Sequence, residues 1–410
     1  MVPGVIRNLS ESSFTPRVVS IGPLHREHKN VEAFEKRKPR FLSNLMMRIE
    51  SSDDKILEIL ESCMQKVHTS MERIRACYCW TRTYDDNEVA KMMVMDACFI
   101  LEFVYWNKRP REPYLGNKLR PTTIVTDLVL LENQIPFFFL DEIYKCTIQK
   151  IDDNIPLIVF IRPLLHDLNI FNGYIKFEDR SSNTIHHILS LLHQCYEPKD
   201  DIKPRLSPPS SIRSAADLDR AGINFKPHKG QTSPTPTPTP WVMRMEVEQY
   251  RFPYFIGFWG KPTLRMPELS INDSTELVLR NLIAYEQPCE TRNHITSYVW
   301  ALDMLVNTKE DVAKLEDSGV LVNYMGSNEE ATNIINSLGN GLVLAGFFYD
   351  EQWETLHNYC NGYWTKHIAW LRRTYFNSPW NIIALLAGFV LFILTVVQTI
   401  YTIKSTGSNK

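Results

Sequence analysis

Residues 88–106, EVAKMMVMDACFILEFVYW, are apolar on nearly every face of a 3.6-residue period, which predicts a helix buried all round. One acid interrupts it: on the helical wheel Asp96 falls between Phe99, Ile100 and Phe103. From residue 32 to about 78 the spacing of Phe34, Phe41, Leu42 and Leu45 is also helical, and Pro39 is expected to bend or restart that helix. A further amphipathic pattern at 181–196, SSNTIHHILSLLHQCY, predicts one helix carrying His186, His187 and His193.

Residues 127–144, DLVLLENQIPFFFLDEIY, mix two signals. Asp127 suits a helix start, and Leu128, Leu131, Ile135, Phe138 and Phe139 form one apolar stripe bordered by Glu132. Pro136 must bend that stripe or begin a new helix. Glu132, Asn133 and Gln134 then stand at the break, where backbone groups lose their helical partners and need others.

Between 197 and 240 Pro and Ser accumulate, ending in SPTPTPTP at 233–240. Alternating proline cannot continue a helix or join a central strand, so this stretch is expected to be an extended linker or surface loop. Within it SAADLDRAGINFK, 214–226, has the composition of a segment that docks on the body. Residues 241–270 are aromatic and bounded by Pro, consistent with a short hairpin or extended element. Asp273 with Glu276, Asn307 with Glu310 and Ser327 with Glu330 have the spacing of helix N-terminal caps, and Gly319 and Gly339 fit the stops.

Near the C-terminus, IIALLAGFVLFILTVVQTIYTI at 382–403 has no charge. As a helix it would extend about 33 Å, and Tyr375, Trp380 and Tyr401 flank it, so a transmembrane helix is expected there. The first residues hold no apolar stretch of signal-peptide length, and Lys366, Arg372 and Arg373 upstream against Lys404 and Lys410 downstream favour a cytosolic bulk. Sequons at Asn8 and Asn272 point the other way. The organisation expected is a mainly α body with a short β or extended element: a helical half at 1–196, the linker 197–240, a second helical half at 241–381, the span 382–403 and a tail 404–410.

Composition adds exclusions. The 410 residues are 44% hydrophobic, enough for a real core, and the net charge of -2 with scattered Lys and Arg gives no footprint for nucleic acid. The eight cysteines, at 63, 77, 79, 98, 146, 195, 289 and 360, lack the returning paired spacing of a zinc site and read as reduced thiols. No GxxxxGK[ST], GxGxxG, GxSxG or HExxH occurs. His186 and His193 lie two helical turns apart, too far for one metal without a bend. No metal, cofactor or catalytic residue is therefore expected.

The acids in apolar surroundings leave two readings. Asp96, Glu132 and Glu286 could supply a general acid and base, or anchor backbone and basic groups inside a helical core. With no nucleophile or cleft motif beside them, the second reading is favoured, and Asp96, Glu132, Asn133, Gln134 and Glu286 are the structural polar candidates.

The segments VVSIGPLH (18–25), FEKRKPRFLSNL (34–45), MMVMDACFILEF (92–103), DLVLLENQIPFFFLDEIY (127–144), AADLDRAGINFK (215–226), LRMPELSINDSTELVLRNLIAYEQ (264–287), ITSYVWALDMLVNT (295–308) and YFNSPW (375–380) form a set. Together they resemble the plant-specific "domain of unknown function 247", or UPF0481, family. They stand in family order along nearly the whole chain. Three departures stand out: Met1 directly precedes Val2-Pro3 where the family has further residues, Asn272-Asp273 replaces an acidic pair, and the Thr-Pro repeat is not a family feature. The resemblance implies a single-pass membrane protein with a helical body and no established biochemical activity. Some grass members are implicated in pollen self-incompatibility, others in reproductive development or stress responses.

The expected function is thus a membrane-anchored recognition or signalling protein that binds a protein partner, with specificity in loops 105–122 and 228–240. The alternative is a membrane-associated enzyme with an acidic site.

Overall fold

Apolar periodicity becomes helix along most of the chain. A computed structural model describes residues 1–80, 82–107, 119–151, 155–173, 175, 184–198, 202, 204, 205, 213–228, 241–248, 262–288, 292–362 and 379–407. Its first part holds α1 (Gly4–Arg7), α2 (Lys29–Glu35), α3 (Lys38–Ile49), α4 (Asp53–Thr69), α5 (Met71–Ala76), α6 (Asp86–Asn107), α7 (Leu119–Asp127), α8 (Phe137–Cys146), α9 (Leu157–Asp167) and α10 (Ile188–Cys195). Pro39 restarts the chain rather than bending it: it sits in the first turn of α3, where an N–H would have no helical partner anyway.

The all-round apolar helix is α6, buried from Val89 through Val104 with few breaks, and α3, α4, α8 and α9 pack around it. The Phe99 ring meets Phe34 and Phe41 edge-on at 5.4 and 5.0 Å. Each such ring withdrawn from water contributes about 1.5–3 kcal/mol, so this cluster clamps α2 and α3 to the centre.

In the second part, α11 (Ala215–Arg220) leads into β1 (Asn224–Pro227), which pairs in parallel with β3 (Thr263–Met266). On the other side of β3, β2 (Glu246–Glu248) runs antiparallel, giving the order β1-β3-β2. A second small sheet joins β4 (Leu269–Ile271) and β5 (Leu321–Asn323) in parallel. Around these lie α12 (Asp273–Glu286), α13 (His294–Leu305), α14 (Lys309–Asp317), α15 (Asn328–Gly339) and α16 (Asp350–Asn361). One apolar core runs from Val19 to Cys360, and Ala215, Leu218, Ile223 and Phe225 join it, so the 214–226 stretch docks on the body.

Several expectations are corrected. Asp127 ends α7 instead of starting a helix; residues 128–136 are non-helical and α8 begins after Pro136. His186 and His187 precede α10, and of the three histidines only His193 lies inside it. Two caps shift by one residue: Asn272, not Asp273, caps α12, and Thr308, not Asn307, caps α14. Ser327 caps α15 as the spacing predicts, and Gly319, at φ 73°, follows α14 in the left-handed conformation that favours glycine.

The transmembrane helix is also corrected. Residues Pro379–Gly407 form α17, but among the described residues no helix is both long and apolar enough to cross a membrane. Thr395, Thr399 and Thr402 return their hydroxyls to carbonyls one turn back. The Thr-Pro repeat, the segment 375–378, Cys289 and most of loops 105–122 and 228–240 lie outside the described residues.

Candidate functional site

Residues 17–22 cross the body in an irregular path that joins no sheet, so their N–H and C=O groups need side-chain partners. Four polar side chains supply them. Asp127 accepts the N–H groups of Arg17, Val18 and Val19 at 3.0, 2.8 and 2.9 Å. Asn133 accepts the Ile21 N–H at 2.6 Å and donates to the carbonyls of Val19 and Asp127 at 3.0 and 2.9 Å. Asp96, in the middle of α6, accepts the Gly22 N–H at 2.8 Å, and Lys38 donates to Asp96 at 2.6 Å and to the Ser20 carbonyl. Gly22 has φ 75°, and a Cβ there would stand 3.0 Å from the Tyr78 ring, so both backbone and space require glycine.

The pair Lys38–Asp96 is nearly sealed, at 1% and 0% exposure. Glu35 also reaches Lys38, and burial pushes the Glu35 carboxyl up while Lys38 opposes the shift. Burial pushes Asp127 up to about 6, although its three N–H donors favour the charged form.

Gln134 closes the non-helical turn on itself. Its amide donates to the carbonyls of Leu128 and Leu130, both at 2.8 Å, and its oxygen accepts the Leu189 N–H of α10 at 3.2 Å. Asn281 of α12 binds the same turn from the other side: it accepts the Leu131 N–H at 2.8 Å and donates to the Ser13 carbonyl at 2.7 Å.

Glu132 faces the N-terminus. It accepts the Val2 N–H at 2.8 Å, and Arg7 bonds both its oxygens. His25 stands 3.8 Å away, with no hydrogen-bond partner on either ring nitrogen among the described residues, and burial with neighbouring His28 holds it down to about 4. Glu132 and Gln134 also line a cleft of about 450 Å³. Leu131, Ile135 and Phe138 give it apolar walls, and His186 and Tyr285, 3.1 Å apart, supply polar groups. At its edge the Arg73 guanidinium lies 3.6 Å over the Phe138 ring.

Glu286 belongs to a different place. As the last residue of α12 it accepts the N–H groups of Ile295 and Thr296 at 2.9 and 2.7 Å, capping α13 across the intervening loop. His193 Nε2 lies 2.9 Å from its carboxylate, and His294 adjoins both.

The structure thus gathers Asp96 and Asn133 under the N-terminal segment, sets Glu132 and Gln134 at the cleft, and separates Glu286. Sequence reasoning missed Lys38, Arg7, Asn281 and His294. Lys38 is one of several charges in FEKRKPRF, and its choice over its neighbours is set only by where α6 passes. Chemically, each carboxylate here is already taken by N–H groups or cations, while the cleft offers apolar surface and hydrogen-bonding groups.

A family model described as "DUF247: Plant protein of unknown function" matches residues 1–394. The UPF0481 protein At3g47200 of Arabidopsis thaliana is 23% identical, over 100% of this chain and 87% of its own. The putative UPF0481 protein At3g02645 of the same plant is 23% identical, over 97% of this chain and 88% of its own. No solved structure matches.

Proposed function

This chain belongs to the DUF247 family of plant proteins of unknown function, and on that premise we propose that it is a recognition protein whose cleft binds a peptide segment of a protein partner. One observation carries the reading. The buried acids serve the fold: Asp96 is held by Lys38 and Gly22, Asp127 by three N–H groups, Glu132 by Arg7 and Val2. What remains for a ligand in the cleft is an apolar wall and the polar pair His186–Tyr285, which suit contact and orientation rather than bond making. Apolar side chains of the partner would rest on Ile135 and Phe138.

The test is proximity labelling or pull-down in plant tissue with the full chain and with Phe138→Asp and Arg73→Glu. Both positions border the cleft and neither holds a buried acid. The reading expects enriched partners to be lost in both variants while the thermal melt stays cooperative. An unchanged partner set in folded variants would refute it.

A second reading, an acidic active site, draws on one fact: Glu132 lines the cleft. Its carboxylate would have to leave Arg7 to take a proton. Glu132→Gln decides between them: normal thermal stability with lost function favours chemistry, whereas lowered stability favours the anchor.

A further inference from the structure

We infer that His193, Glu286 and His294 form a buried site for one divalent metal ion of the zinc class, tying α10 to α12 and α13. One donor atom from each residue lies within 4.8 Å of the other two. All three residues are buried, His294 completely.

The unpaired atom in this cluster is the informative one. His294 Nε2 lies 3.2 Å from the backbone carbonyl of His193, a bond only an N–H can make, so the neutral ring carries its proton on Nε2. Nδ1 then presents a bare lone pair. Among the described residues it has no hydrogen bond of good geometry, although the ring also meets the Arg292 backbone, and it stands 3.8 Å from Glu286 Oε1. Two acceptors facing each other in a buried space, with no proton between them, are costly. A cation between the two atoms satisfies both.

The surroundings fit a ligand set. A metal-bound histidine commonly donates its other N–H to a backbone carbonyl, as His294 does, and ligating carboxylates are themselves hydrogen-bonded. Glu286 is fixed by the N–H groups of Ile295 and Thr296 and by the Thr296 hydroxyl. To ligate through Nε2, His193 gives up any proton there and keeps one on Nδ1. Two imidazoles and a carboxylate suit zinc and its neighbours, with one tetrahedral position left for water. Donors on such an ion are about 3.3 Å apart, given bonds of roughly 2.0–2.1 Å. The present separations of 2.9 Å for His193–Glu286 and 3.8 Å for His294–Glu286 bracket that value.

The full chain, stripped with chelator and dialysed, is titrated with Zn²⁺ and separately with Co²⁺. The expected results are one zinc per chain by elemental analysis, a higher melting temperature with zinc, and a visible Co²⁺ absorption band. His294→Ala and His193→Gln should each weaken zinc binding by more than about 100-fold, beyond the loss that follows removal of an outer hydrogen bond. The exposed His68 serves as control: His68→Ala should bind as the unaltered chain does. Folded wild-type protein that takes up neither ion overturns the assignment, as does stoichiometric binding that survives in folded His294→Ala. Where a variant fails to fold, the Co²⁺ spectrum of the unaltered chain decides alone, and absence of the band refutes the site.

Discussion

At the scale of single residues, the informative groups are polar side chains with no water to fall back on. Lys38 and Asp96 illustrate the asymmetry of a buried pair: made, it adds little net stability, but halved, it leaves a charge that nothing compensates. Lys38→Met is therefore expected to lower the unfolding free energy by about 3–5 kcal/mol, read from urea denaturation. Adding Asp96→Asn to that variant should recover part of the loss, because the stranded charge goes; a double variant less stable than the single would contradict the pairing. Glu132→Gln keeps an oxygen for the Val2 N–H but weakens the bond to Arg7. Since Arg7 is partly exposed, a smaller fall of about 1–2 kcal/mol is expected in the same assay.

At the scale of elements, side chains replace missing secondary structure. The segment 17–22 is held as a strand would be, yet its partners are Asp127, Asn133, Asp96 and Lys38 rather than a neighbouring backbone. Deleting residues 1–22 would strand those groups, each at about 1–3 kcal/mol. The sum approaches the whole stability of an ordinary domain, so the truncated chain should lose its cooperative thermal transition; a sharp melt would show that the segment is dispensable. Asn272 works at one helix end, accepting the N–H groups of Ser274 and Thr275. Asn272→Ala should cost about 0.5–2 kcal/mol, measurable as a lower urea midpoint with unchanged slope. The same bonds explain why that sequon serves as a cap.

At the scale of the molecule, stability should respond to pH through two groups of opposite sign. His25, facing His28, Glu132 and Arg7, is held down to about 4, so between pH 6.5 and 4 the unfolded chain takes up a proton that the folded chain refuses. Acidification through that window costs up to about 1.4 kcal/mol per pH unit. Asp127, raised by burial to about 6 against the backbone N–H groups of Arg17, Val18 and Val19, does the reverse: from pH 6 down to 3.8 the folded chain holds the extra proton and gains stability. In urea titrations from pH 7 to 4, His25→Gln should flatten the acid loss and Asp127→Asn should steepen it. Slopes that move together would show that these groups do not govern the window. By itself the sequence determined the elements whose cause is local. The apolar period made α6, Pro39 and Pro136 set helix starts, Ser327 capped α15, and the order of segments carried the family. It also singled out Asp96, Glu132, Asn133, Gln134 and Glu286, because an acid or amide inside an apolar run must find a partner. Only the tertiary structure decided which partner. Lys38 reaches Asp96 from 58 residues away, Arg7 reaches Glu132 from 125, and His193 meets Glu286 from 93. Hydrogen bonds and charges act over a few ångströms in space and are blind to distance along the chain, so no local pattern could announce Arg7, Lys38, Asn281 or His294 before the helices were packed.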